Sequence, residues 1–320
     1  MTWAGIADTF IYDFDDFKPL DRWIDWLDER ISRDETFPSP AIEAAVASSM
    51  VGVLVWRRPG HPAMRQWIER ALSSSQESRD SAVRLLALRR ALLYYIWFGD
   101  KGGSLTVLGE IGKIVESHSA PPYGLIAAKM IKAHYYAWLG DDCDRALQLV
   151  EEGYSLAEET GVHVVDSFLA VQGAWGAVNK GDDGEVLRYA EKLEATLQPG
   201  RRYAVFYHNI LSKRFLLVGK FAEALAHATK MLTLSEESGH PFPGAWARTL
   251  IAQAAYEIGD TSRAEKELAT CEEFYLQVGS PYFQFTTSLI KAYFLFDQGE
   301  ERCGLEALGR AFTMGRQNGY

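Results

Sequence analysis

Phe98-Gly99-Asp100, Leu139-Gly140-Asp141, Lys180-Gly181-Asp182, Val218-Gly219-Lys220, Ile258-Gly259-Asp260 and Gln298-Gly299-Glu300 decide the fold, because their glycines stand 41, 41, 38, 40 and 40 residues apart. A second series, Gly161, Gly200, Gly239, Gly279 and Gly319, interleaves with it, each about 20 residues after a glycine of the first. Glycine accepts the left-handed backbone that ends a helix, and the aspartate behind it is a good cap for the next one. A fixed period in this range is the signature of a solenoid, in which each unit buries its apolar face only against its neighbours. The chain therefore reads as an all-α array of about eight helical hairpins.

One unit shows the logic. From His240 to Gly279, Pro241 or Pro243 suits a first helical turn, and Trp246, Leu250, Ile251, Ala254, Ala255 and Ile258 follow at helical spacing. After Gly259-Asp260, Ala264, Leu268 and Cys271 mark the inner face of a second helix. The next unit repeats the plan, with Ser280 as a candidate N-cap and Pro281 as first helical residue. Seven residues before each turn glycine stands a column of mostly small residues, Leu92, Ala133, Ala174, Ser212, Ala252 and Ala292; five after it stand Ala224, Ala264 and Gly304, with Ala146 one place later. These columns resemble the tetratricopeptide pattern. The resemblance implies a right-handed superhelix occupying 1–320 as one domain. Two more degenerate hairpins are expected at 2–34 and 40–76, separated by a loop through Thr36-Phe37-Pro38-Ser39-Pro40. Lys101-Gly102-Gly103, Gly109 and Gly112 make the second helix of the third unit the weakest element and the expected place of flexing.

Composition narrows the function. With 48% hydrophobic and 24% charged residues the chain can bury an extended core, and a net charge of −10 disfavours binding to phosphate backbones or anionic lipid. No signal peptide or membrane span is read, so a cytoplasmic location is expected, and an end at Gly319-Tyr320 without a capping helix reads as a segment of a longer chain. Cys143, Cys271 and Cys303 form no pair with zinc or redox spacing, and no histidine pair has metal-ligand spacing. The pairs Asp15-Asp16, Asp141-Asp142, Glu151-Glu152 and Glu236-Glu237 read as caps or solvated charges, since adjacent residues on a helix do not face each other. Ser48-Ser49 and Ser73-Ser74-Ser75 have no histidine beside them. No catalytic residue, metal or cofactor is expected, and the chain is read as a non-enzyme.

Trp3, Trp23, Trp26, Trp56 and Trp67 read as helix-interface fillers. A different signal lies six residues before each turn glycine, where Leu93, His134, Trp175, Lys213, Gln253 and Tyr293 are too mixed for a purely structural column. In tetratricopeptide-like repeats that column faces the concave surface. With residues one helical turn away it predicts a groove in which Arg89, His134, Trp138, Trp175, Asn209, Lys213 and Gln253 bind a protein segment or small effector, aromatic groups supplying area and polar ones orientation.

Gly161-Val162-His163-Val164 leading to Phe168, Pro199-Gly200-Arg201-Arg202 leading to Tyr207-His208, and Gly239-His240-Pro241-Phe242-Pro243, set in this repeat, resemble the helical region of large bacterial MalT-like, signal-transducing ATPase regulators, including those with a bacterial transcriptional activator domain. The resemblance implies a superhelix that senses an inducer or partner for a transcriptional activator, with the nucleotide-binding and DNA-binding modules elsewhere. No G-x-x-x-x-G-K-[ST] loop occurs here. Direct contact with nucleic acid or membrane by this segment is not expected. The competing reading is a protein-interaction scaffold unconnected to transcription.

Overall fold

The structure, a computed structural model, describes residues 2–32, 37–117, 120–197 and 203–320. Among them run sixteen α-helices and no strand. They pair into eight antiparallel hairpins: α1 (Trp3–Asp13) with α2 (Leu20–Ser32), α3 (Pro40–Arg57) with α4 (Met64–Gln76), α5 (Ser81–Phe98) with α6 (Lys101–Glu116), α7 (Pro122–Trp138) with α8 (Cys143–Thr160), α9 (Asp166–Lys180) with α10 (Asp183–Ala195), α11 (Ala204–Leu217) with α12 (Phe221–Ser238), α13 (Pro241–Glu257) with α14 (Thr261–Val278), and α15 (Pro281–Asp297) with α16 (Glu301–Asn318). Odd-numbered helices are the first of each hairpin and form the inner layer. The linker residues Thr36, Pro199, Gly200, Arg201 and Arg202, singled out from sequence, lie outside the described residues.

The turns work as their chemistry dictates. Gly181 and Gly259 sit at φ +72° and +86°, and Asp182 and Asp260 then accept hydrogen bonds from the Glu185 and Arg263 amides at 3.1 and 3.2 Å. The fourth unit departs from this. Gly140 is not left-handed there; Asp141 takes φ +53° instead, and Asp142 caps α8 through the Arg145 amide at 2.9 Å. The residue inserted in that turn moves the left-handed position one place on, to a side chain type that tolerates it. The small-residue column is fully enclosed: Leu92, Ala133, Ala174, Ser212 and Ala252 are 0% exposed and Ala292 2%. Ser212 keeps its polar atom satisfied by donating to the Ala224 carbonyl at 2.9 Å, which ties the two small columns together.

Stacking alone would leave the inner layer lining a trough. Instead the array curls far enough for its first three hairpins to meet its last three. The Phe17 amide donates to the Ser238 carbonyl at 2.8 Å and Arg57 Nη1 to the Gly239 carbonyl at 2.8 Å. Ser280 Oγ donates to the Trp97 carbonyl at 2.9 Å and Tyr320 Oη to the Gly99 carbonyl at 2.8 Å. Ser280 stands at the N-cap of α15 and Pro281 opens the helix, as read from the sequence, but the Ser280 hydroxyl makes no capping bond because it is committed across the seam. Behind this seam the inner aromatic rings form a closed circuit. Phe14, Trp56, Trp97, Trp246, Trp138, Trp175 and Phe206 meet in that order, and Phe206 returns to Phe14 at 5.6 Å between centroids. Most of these contacts are edge-on, the favoured geometry for quadrupolar rings. Of the tryptophans read as interface fillers, Trp26 is not one: it is 41% exposed, with the Arg30 guanidinium 4.3 Å above its ring. By length and composition α3 could cross a membrane, yet 67% of that window is buried within the protein, as for a core helix.

Candidate inner-face binding site

Two cavities lie against the aromatic circuit, and all seven residues expected to line the groove border one or the other. Arg89, His134 and Trp175 line a cavity of about 330 Å³; Trp138, Trp175, Asn209, Lys213 and Gln253 line a second of about 390 Å³. Trp175 is the wall between them. Both volumes fall near the lower end of small-molecule sites.

The individual residues differ more than the sequence column implied. Trp175 is only 2% exposed and donates its Nε1 to Asn209 Oδ1 at 2.9 Å, so this pair is closed off by its own hydrogen bond. His134 is 3% exposed; burial pushes its pKa down to about 3, leaving a neutral imidazole whose Nε2 has no partner. Lys213 holds its ammonium 5.5 Å from the Trp138 ring centroid and makes no ion pair among the described residues, and burial lowers its pKa to about 8. Arg89 donates Nη1 to Tyr123 Oη at 3.1 Å, while its Nε is buried without a partner. The next residue behaves oppositely, because Arg90 is paired with Asp8 at 2.6 Å and donates to Ser49 Oγ at 3.2 Å.

Tyr123 and Tyr12 complete the first cavity's polar end. Their hydroxyls lie 3.4 Å apart. Burial opposes ionisation of Tyr123, but Arg89 outweighs it and holds that hydroxyl below the usual tyrosine value. Tyr12, half-exposed beside it and without a direct cation, is pushed up to about 12 by the partial desolvation of its hydroxyl. Neither tyrosine was singled out from sequence, nor was Gln172, which is 2% exposed and lines the same cavity with Oε1 unpartnered. Phe14 and Trp56 were also missed as cavity residues. A signal for them existed: Phe14, Trp56, Trp97 and Trp138 recur at intervals of 42, 41 and 41 residues.

Of the groups considered for catalysis, Ser48 is buried with its hydroxyl unpartnered and most of the others are engaged in structural contacts. Glu151 accepts from Arg188 and Tyr189, and Glu152 from Lys129 and Gln148, so this pair bridges α8 to helices on both sides. Ser49 accepts from Arg90, and Ser73, Ser74 and Ser75 donate to carbonyls of their own helix. No cluster of metal-ligating side chains occurs among the described residues.

No family model and no curated protein matches the chain. Solved structures do. A Rap protein complexed with competence and sporulation factor is 13% identical and superposes with a TM-score of 0.61, covering 87% of this chain and 78% of that one. The apo form of RapI is 13% identical with a TM-score of 0.49 over 86% of this chain and 77% of its own. Aspartyl phosphate phosphatase F from Bacillus subtilis is 9% identical with a TM-score of 0.49, covering 89% and 77%. The first of these likenesses establishes a shared all-helical repeat architecture.

Proposed function

We propose that this chain is the sensory, ligand-binding superhelix of a regulatory protein, taking a small effector or a protein segment on its inner face. One observation carries the reading. Arg89 and Lys213 each bring a positive charge with no carboxylate partner to an aromatic-lined cavity, one on each side of Trp175. An unpaired cation drawn away from water costs free energy that folding alone does not require, and a bound partner recovers it. That a protein of the same fold, a Rap protein, was captured with competence and sporulation factor supports ligand binding by such superhelices. The motif resemblance extends the proposal to a cytoplasmic transcriptional activator of the MalT-like kind, whose ATPase and DNA-binding modules lie outside residues 1–320.

Screening metabolites and peptides by thermal shift, then titrating any hit against Lys213→Gln and Trp138→Ala, tests this. Each substitution is expected to weaken binding by about 1–3 kcal/mol. A ligand whose affinity ignores both of these and Arg89→Gln would place the site off the inner face.

A further inference from the structure

The first cavity specifies its occupant more narrowly than the second. Its mouth opens at Tyr12, Asp13 and Val164, and the rest of the lining is buried or half-buried. At about 330 Å³ it admits a small molecule rather than a helical segment. At the polar end one of the two arginines lacks a carboxylate partner. Arg90 is neutralised by Asp8, but Arg89 has only the Tyr123 hydroxyl, and its ring, 5.5 Å away, as partners. Asp13 also lines the mouth, without an ion pair to either arginine. His134 adds no charge, being neutral.

The apolar end is aromatic, with Trp56, Phe168, Trp175 and Phe206 presenting rings to the space. Between the ends, three side chains at least nine-tenths buried line the cavity with polar atoms unpartnered: Gln172 Oε1, His134 Nε2 and Trp97 Nε1. Buried polar atoms are nearly always satisfied, so three orphans around one cavity mark where a ligand's polar atoms go. A guanidinium with free N–H groups matches a carboxylate, and flat rings offer edge and face to another ring.

We propose that this cavity binds a small aromatic carboxylic acid, its carboxylate on Arg89 and Tyr123 and its ring among Trp56, Trp175 and Phe206. The inference rests on the inner-face reading given above and deepens it. The lining comes from α1, α3, α5, α7, α9 and α11, so such a ligand touches the inner helices of the first six hairpins at once.

The probe is 1-naphthaleneacetate, compared with its neutral amide and with decanoate, by isothermal titration calorimetry on the whole chain near neutral pH. The acid is expected to bind at least about tenfold more tightly than the amide, the scale of one charge-assisted hydrogen-bonded contact, and several-fold more tightly than decanoate. Arg89→Gln should bring acid and amide to equal affinity with an unchanged circular dichroism spectrum, whereas Arg302→Gln, on the exposed face of α16, should leave the preference intact. Should Arg89→Gln fail to fold, the acid–amide comparison on the unaltered protein still decides. Equal binding of acid and amide overturns the carboxylate proposal and leaves the inner-face reading standing. Absence of binding by all three probes at about 1 mM overturns the proposal alone, since the inner face is tested by the broader screen. A probe that binds yet ignores Arg89→Gln, Lys213→Gln and Trp138→Ala overturns both.

Discussion

Trp175 shows how one side chain can border two cavities and still be a structural residue. Its ring is almost inaccessible, and among the described residues its indole N–H is the one donor to Asn209 Oδ1. Trp175→Phe keeps most of the apolar volume but leaves that buried acceptor unpaired, so a loss of about 1–3 kcal/mol is expected in urea denaturation. Trp175→Ala, which also opens a cavity, should cost about 3–5 kcal/mol. An unchanged midpoint for the phenylalanine variant would show that the hydrogen bond contributes nothing. The mixed column containing Trp175 was legible in the sequence, and five of its six members line the two cavities, Tyr293 being half-exposed beyond them. Which of them would be sealed was not legible. The fate of His134 depends on Trp138 and Trp175, one on its own helix and one on the next; that of Trp138 depends on Trp246 and Phe283, which periodicity cannot relate to it.

At the scale of elements the turns explain why the repeat could be read so directly, since each demands a backbone conformation that few residues supply. Gly181 has open space around it, so replacing it by alanine meets no clash, only the strain of φ +72°. Gly181→Ala is expected to destabilise by about 1–2 kcal/mol. Gly109 and Gly112 lie inside α6, also with nothing within 4 Å of an added Cβ, and have no positive φ. Alanine there should stabilise by about 0.5–1 kcal/mol per site through lost unfolded-state freedom. Thermal unfolding of the three variants checks the opposite signs, and stabilisation by Gly181→Ala would contradict the capping argument. Helix count, pairing and small-residue columns were legible because helix, turn and nearest neighbour determine them. The inserted residue of the fourth unit showed in the displacement of Ala146, but which residue of Gly140-Asp141-Asp142 would take the left-handed backbone and which the cap was not legible.

For the whole molecule the seam sets the response to acid. His240, 2% exposed, sits on it among Phe14, Phe17 and Trp56, and burial pushes its pKa down to about 3, as it does for His134. A group whose folded pKa lies below its unfolded value of 6.5 takes up its proton first in the unfolded chain. Stability is therefore full above that value and lost as pH falls from 6.5 towards 3. By pH 5 each of the two fully buried histidines should remove about 2 kcal/mol. Asp183 and Glu152, held below their usual range by hydrogen bonds from Arg214 and Lys129, weaken only at lower pH. A melting-temperature profile should thus decline from pH 6.5, less steeply in His240→Phe, which leaves no imidazole to charge; a profile flat from pH 7 to 5 would sink this account. The seam also bears on assembly. In an open array each hairpin needs only its neighbours, so the chain can grow from any point and fray from either end. The bond from Tyr320 to Gly99 spans 221 residues and that from Arg57 to Gly239 spans 182, and neither can form until the hairpins between have stacked in register. Closure then comes late on the folding route and converts a row of semi-independent units into one body whose two halves stand or fall together.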